Sequence, residues 1–493
     1  MGYDYALVHL FYTIPPAVAL TFLYHPLSTS LGIYKLLFLI VGIGLVLKGG
    51  EGLYMGLILV WAGPFVLLLW SLAYQLIIEL PLSNTLIPIA LPTLYLWIVD
   101  TLALRRGTWV IESGTKLGWH LWDGLEVEEA VFFLATNALI VFGLIAFDTA
   151  FAILAAFPSA FPTIPILPSP LLLIRALLVP TAAYDDDRIE GLQEALARLR
   201  AKSRSFYLAS GVFQGRLRID LVLLYSFCRV ADDLVDEANT VDEAKGWIAL
   251  LKRYLDICYS TGASEKHLPR DEFVVSSFPA SAQAALTLLP THDLSPQPLY
   301  DLLKGFETDL HFSSANPYPI EDLPTLQLYG ARVAGTVAQS CLELVFHHTK
   351  TQMPREQQRY IAQAGSRMGI ALQYVNIARD ISVDASNGRV YLPTTWLRDE
   401  GLTPKDIIKV PNSTQSERLR QRLLDSAMEI YDEAKGAIES LPQEARGPMR
   451  VAVESYVEIG RVLRKPGYKV KAGRATVPKL RRLTVAWKAL NKK

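Results

Sequence analysis

At 493 residues the chain has room for two domains, and hydrophobic residues make up 51% of it. Its 48 basic and 48 acidic residues cancel, so nothing in the charge balance suggests a nucleic-acid partner, and none is expected. The three cysteines, Cys228, Cys258 and Cys341, show no paired metal spacing. They point to a reducing compartment without a disulfide framework.

Charge is spread unevenly: residues 1–180 hold 6 Lys/Arg and 10 Asp/Glu, and the other charges follow. The first segment, MGYDYALVHLF, lacks a basic n-region and reads as a hydrophobic span, not a cleaved signal peptide. Ala6 stands where myristoylation needs Ser or Thr. A bilayer takes about 20 apolar residues per crossing. The expected spans are residues 5–24, 31–47, 53–80, 84–104 and 127–147. Trp61, Trp70, Trp97, Trp109, Trp119 and Trp122 sit in or near their ends, as interfacial rings do. The alternative is a large soluble core of buried helices. Arg105, Arg106 and Lys116 share one loop, which the positive-inside rule places in the cytoplasm. Five crossings would then put the chain after residue 147 on the far side, and this conflict stays open.

Residues 157–183 carry Pro158, Pro162, Pro165, Pro168, Pro170 and Pro180, the composition of a semi-rigid linker. The expected organisation is a polytopic membrane region over 1–150, a linker over 151–183 and a second domain over 184–493. From residue 184 apolar residues recur at three- and four-residue spacing, as in RIEGLQEALARLRAKSRSFYLAS, and the fold class is all-α. The basic stretch after Arg461 reads as a solvated tail, with contact to anionic headgroups as the alternative.

Two of these helices carry the same device. In YSFCRVADDLVDEAN, Tyr225, Arg229, Asp232 and Asp236 fall on one helical stripe, while Asp233 is rotated about 100° away. In GIALQYVNIARDISVDASNGRVYLP, Gln373, Asn376, Asp380 and Asp384 form another stripe, with Arg379 just before Asp380. One acidic pair is usually a solvated face. Two in apolar helices are a stronger sign, because four converging carboxylates repel unless cations sit among them. Hard oxygen donors with water and phosphate suit Mg²⁺, and arginines grip phosphate oxygens. An apolar bundle around such a site implies a substrate with a long hydrocarbon and a diphosphate head.

SRSFYLAS, YSFCRVADDLVD, YGARVAGTVAQ and QYVNIARDISVDASNGRVYLP resemble the motifs of phytoene synthases within the squalene/phytoene synthase family, over roughly residues 185–485. The resemblance implies an isoprenoid-synthase-type helical bundle that joins two geranylgeranyl diphosphates head to head through a cyclopropyl intermediate. It implies that Asp232, Asp236, Asp380 and Asp384 bind Mg²⁺, or Mn²⁺ in its place. Arg229, Arg379, Asn376 and Gln373 would hold diphosphate, and Ser203, Ser205, Phe206, Tyr225 and Tyr329 would line the first-substrate pocket. Val333, Ala334 and Gly335 would let a prenyl chain pass, or would serve close helix packing.

In the membrane third, Asp100 ends one apolar run, and Glu126, Glu128 and Glu129 open the next. Acids at membrane depth are costly and often functional; the ordinary alternative is a helix start in the headgroup layer. YMGLILVWAGPF and LPTLYLWIVD resemble the membrane lycopene β-cyclases of fungal bifunctional carotenoid proteins. That resemblance implies lycopene as substrate, the bilayer and other carotenoid-pathway enzymes as partners, and Glu128 and Glu129 as the acidic pair, with Asp100 nearby. It also implies a multi-pass membrane protein with a cytoplasmic synthase. Two features depart from the family: Glu126 replaces its proline, and about five spans stand where it has about seven, the first acidic unit among the missing. The rival readings are a squalene-type synthase requiring NADPH, a synthase on a plain membrane anchor, and a catalytically dead scaffold.

Overall fold

The computed structural model describes residues 39–109, 113–165, 167–259, 267–312, 318–349, 353–465, 467–468 and 476–492. The expected span at 5–24 and the start of that at 31–47 lie outside them. The chain divides into two compact units, residues 1–189 and 190–493.

The first unit is built from long apolar helices: α1 (Leu39–Lys48), α2 (Leu53–Glu79), α3 (Leu82–Arg105) and α4 (Val127–Ala156). Three of them, α2, α3 and α4, are long and apolar enough to cross a membrane. Phe65, Leu91, Ile98 and Leu144 are among many large apolar side chains that stand exposed on them, a surface suited to hydrocarbon. Pro64 lies inside α2, and Pro88 and Pro92 inside α3. Helix α1 crosses α2 at two glycines: a Cβ on Gly42 would meet Leu59 Cβ at 2.7 Å, and one on Gly56 would meet Val46 N at 2.9 Å. Small residues permit this backbone approach. A two-stranded antiparallel hairpin, β1 (His120–Trp122) and β2 (Leu125–Glu126), turns at Asp123-Gly124 and leads directly into α4.

The stretch expected as a linker is more ordered than its prolines suggest. Helix α4 continues to Ala156, and Ser169 caps α5 (Pro170–Leu177), which belongs to the first unit. The division falls at Ile189/Glu190, inside α6 (Asp186–Lys202).

The second unit is helical throughout its described residues. It runs through α7 (Arg204–Ser210), α8 (Gly215–Asp236), α9 (Val241–Tyr259), α10 (His267–Ser277), α11 (Ala280–Thr287), α12 (Pro296–Leu310) and α13 (Leu323–Gly330). A π-helical turn (Ala331–Gly335) joins α13 to α14 (Thr336–His348). Then come α15 (Arg355–Ser386), α16 (Thr394–Asp399), α17 (Pro404–Lys409), α18 (Thr414–Ala434), α19 (Gln443–Leu463) and α20 (Lys479–Leu490). Two apolar cores hold it together. In the first, Leu224, Phe227 and Val230 of α8 pack with Leu251, Leu255, Leu303, Phe306 and Leu344. In the second, Tyr374, Ile377 and Ile381 of α15 pack with Trp396, Leu419, Leu423 and Val462. Helix α15 contributes Met368 and Ala371 to the first core as well, so it can present its remaining face to a cavity between them. That cavity has a volume of about 870 Å³.

Candidate active site

Helix period decides which face of α8 meets the cavity. Phe227, Val230 and Val235 point into the core; Tyr225, Arg229, Asp232 and Asp236 line the cavity. The same split on α15 leaves Gln373, Asn376, Arg379, Asp380 and Asp384 on the cavity wall. Ser203, Ser205, Phe206 and Tyr329 line it too. The structure therefore brings all thirteen residues expected to bind metal or line the substrate site in this unit to one cavity. Away from the carboxylates its lining is apolar, with Leu342, Ile361, Met368, Leu372, Met449 and Val453.

The carboxylates are already partly neutralised by the protein. Arg229 Nη1 lies 3.0 Å from Asp232 and also pairs with Asp233, which Lys202 approaches at 3.4 Å. Arg379 Nε donates to Asp380 at 2.8 Å. Asn376 Nδ2 donates to Gln373 Oε1 at 3.2 Å, and Tyr456 OH donates to Asn376 Oδ1. Burial, then the neighbouring Asp236, raises Asp232 to about 7 against the pull of Arg229. Burial and Asp380 raise Asp384 to about 7. A third of the Asp232 side chain is still open, where it lines the cavity. Hard, crowded, desolvated oxygen donors of this kind fit a divalent cation, which would stabilise their charged forms.

Four cavity residues, Asp309, Arg389, Tyr391 and Tyr456, escaped the sequence reading. Asp309 of α12 lines the cavity and accepts from Tyr391 OH at 2.7 Å and Tyr329 OH at 3.1 Å. Burial raises it to about 7. Arg389 Nη1 donates to Asp236 at 2.9 Å. A signal existed: Asp309 follows the apolar Leu302 and Phe306 at four- and three-residue steps, on their stripe, and Arg389 and Tyr391 stand in the quoted motif NGRVYLP.

The three small residues divide between their two readings. Val333 and Ala334 line the cavity. A Cβ on Gly335 would meet Ser366 Oγ at 2.5 Å, and one on Gly369 would meet Ala334 O at 2.6 Å, so the glycine pair serves close packing of the π-helical turn on α15.

Among the described residues, Asp220, Asp293 and His348 bring potential ligand atoms within 4.8 Å of one another. Their side chains are absent from the cavity lining. His348 Nε2 lies 2.6 Å from Asp220, pairing α14 with α8, and His347 Nε2 lies 3.0 Å from Asp293 in the turn before α12.

The first unit gathers a different kind of acid site. Asp100, Glu128 and Glu129 are buried, Glu128 completely, contrary to an exposed helix start in the headgroup layer. Trp109 Nε1 donates to Asp100 at 3.1 Å, Leu117 N to Glu128 at 2.6 Å and Tyr54 OH to Glu129 at 2.6 Å. Glu126 pairs with Lys116. Asp100 Oδ2 and Glu128 Oε2 are buried without a hydrogen-bond partner. Asp100, Glu128 and Glu129 are thus held by neutral donors from α2, the loop after α3 and the hairpin approach, and Glu126 by a lysine.

An all-α bundle with two arginine-flanked aspartate stripes across an apolar cavity defines a diphosphate-handling isoprenoid synthase. The sequence profile of the squalene/phytoene synthase family matches residues 199–481. A bifunctional lycopene cyclase/phytoene synthase of Pyrenophora tritici-repentis is 50% identical over 587 aligned positions spanning both chains in full. Another, from Fusarium fujikuroi, is 58% identical over 455 residues, 92% of this chain and 74% of that one. A dehydrosqualene synthase solved in complex with ligand overlaps with a TM-score of 0.48 at 23% identity, covering 61% of this chain and 95% of that one. The chain belongs to the squalene/phytoene synthase family and, over its whole length, to the bifunctional lycopene cyclase/phytoene synthases. Because the full-length alignment is longer than this chain, the Pyrenophora relative carries segments that this chain lacks.

Proposed function

We propose that the second unit condenses two geranylgeranyl diphosphates head to head to phytoene, and that the first protonates lycopene to close β-rings. The observation that carries the synthase reading is the convergence of both aspartate stripes, their arginines and an apolar lining on one cavity. Asp232, Asp236, Asp380 and Asp384 would hold Mg²⁺ or Mn²⁺, and bound metal would draw charge from the departing diphosphate. Arg229, Arg379 and Arg389 supply guanidinium groups at the same wall, suited to bidentate grip on phosphate oxygens. Gln373, Asn376 and Tyr456 form a hydrogen-bonded row that orients the head. The apolar remainder of the cavity excludes water from the hydrocarbon and from any cation formed on it.

The cyclase reading rests on the buried acids. Glu129, held by Tyr54 at 2.6 Å, would donate the proton, with Glu128 and Asp100 beside it, in a site that lipid keeps dry. The absence of a first acidic unit from the sequence of residues 1–150 favours a second reading, in which the first unit only anchors the synthase to the bilayer as a multi-pass region. In either case the synthase unit is read as cytoplasmic.

Pigments from a bacterial host test both. The host supplies geranylgeranyl diphosphate and a phytoene desaturase but no synthase or cyclase, and this chain is the sole addition. β-Carotene or a one-ring product is expected if both units work. Lycopene alone would reduce the first unit to an anchor. An extract without phytoene or its products, from cells containing the protein, would overturn the synthase reading.

A further inference from the structure

Read as sequence, the end of the chain is a basic, solvated tail. In the structure Lys479–Leu490 is the helix α20, and its two faces differ. Ala486 and Ala489 pack with Ala209, Val212 and Val451, Arg481 pairs with Glu458, and Arg450 Nη1 donates to Ala489 O at 3.2 Å. The opposite face is apolar yet uncovered: Leu480 is 79% exposed, Trp487 69%, Leu483 44% and Leu490 42%. At 100° per residue these four side chains fall within an arc of about 80°. Exposed Lys479 borders one edge of the arc, and exposed Lys488 stands beyond the other.

We infer that α20 is an interfacial helix that seats Leu480, Leu483, Trp487 and Leu490 in the headgroup layer of an anionic bilayer. Three observations favour this occupant. A narrow apolar stripe with an exposed Trp and flanking lysines is the pattern of helices that lie in a membrane surface. The lysines complement anionic headgroups, whereas two copies of the helix face to face would bring like charges together. The same chain carries three helices long enough to span a bilayer, so lipid is at hand, and the inference rests on that membrane reading. Thr476, Val477 and Arg482, at the start of the helix, line the cavity. Seating the helix on lipid therefore sets one wall of the cavity at the membrane surface.

The test uses the full chain reconstituted in phosphatidylcholine vesicles with or without phosphatidylglycerol. A photoreactive benzoylphenylalanine replaces Leu480 or Trp487 in the helix, Leu68 in α2 as a membrane control, or Val410 as an exposed control. Lipid adducts are expected at 480, 487 and 68 but not at 410. Adduct yield at 480 should rise with phosphatidylglycerol, and Lys479→Glu and Lys488→Glu should each lower it roughly fivefold. Adducts at 68 with none at 480 or 487 would overturn the inference alone. Crosslinks from 480 or 487 to a second copy would overturn it in favour of self-association. No lipid adduct at 68 would overturn the membrane reading and this inference with it.

Discussion

The two units use buried carboxylates in opposite ways. In the bundle, each aspartate stripe comes with guanidinium groups: Arg229 on Asp232, Arg379 on Asp380 and Arg389 on Asp236. In the membrane unit, Asp100, Glu128 and Glu129 are met by an indole, a backbone amide and a phenol. Guanidinium partners pull the aspartates toward their charged forms against burial, which still raises Asp232 and Asp384 to about 7, and a divalent cation would complete that shift. Neutral donors in a dry site leave room for the protonated acid. Under the proposed function, one residue class would serve as an electrostatic clamp in one unit and as a proton source in the other, and the difference lies in the partners that packing provides.

The largest expected effect separates the units outright. Glu129→Gln keeps the shape and removes the transferable proton, so lycopene cyclisation should fall by about 10²–10⁴-fold while phytoene formation stays constant in the same extracts. Tyr54→Phe should give a smaller loss, since it removes only the orienting hydrogen bond at 2.6 Å. Unchanged ring content in both variants would leave the first unit as an anchor.

Next, Asp232→Ala or Asp380→Ala should cost about 10²–10³-fold in phytoene formation by the purified enzyme, comparable to loss of one electrostatic contact to a developing charge. The folded bundle should survive, because the change removes a crowded buried charge. Asp233→Ala is the control: Asp233 also pairs with Arg229 but does not line the cavity, and it should lose far less.

Packing comes third. Gly369→Ala places a Cβ against Ala334 O at 2.6 Å, and overpacking of this kind costs about 1–3 kcal/mol. Thermal unfolding should shift down accordingly, while the lycopene-cyclising unit is untouched.

The smallest effect is on pH. Asp232 and Asp384 stand at about 7 in the fold against 3.8 ordinarily. A raised carboxyl contributes stability that is complete below the unfolded value and is lost as pH rises through the folded one. Without divalent metal, Tm should therefore fall by a few degrees between about pH 4 and about pH 8. Added Mg²⁺ favours the charged forms, so its stabilisation should grow over the same window. Its affinity should change roughly tenfold per pH unit for each proton released. A metal response independent of pH would argue against these aspartates as ligands.

Much of the bundle was legible because helices are local. Asp232 and Asp236 share a stripe by chain spacing alone, and so do Asp380 and Asp384; the apolar runs that become α2, α3 and α4 need no partner to be seen. The prolines of 157–183 misled in part, since Ser169 and Pro170 start a short helix that packs within the first unit. Burial of the membrane acids was not legible, because an acid at a helix start reads the same whether water or protein covers it.

By itself, the sequence determined the helical class, the membrane-like first third and the two aspartate stripes, since each depends on residues within a few turns of one another. Only the tertiary structure decided that Asp309 meets Tyr329 and Tyr391, that Arg389 reaches Asp236 across 153 residues, and that neutral donors surround Glu128 and Glu129. It also decided which face of α20 stays uncovered. These depend on which helices pack together, and helical period sets only the face a residue occupies, never the neighbour that face will meet.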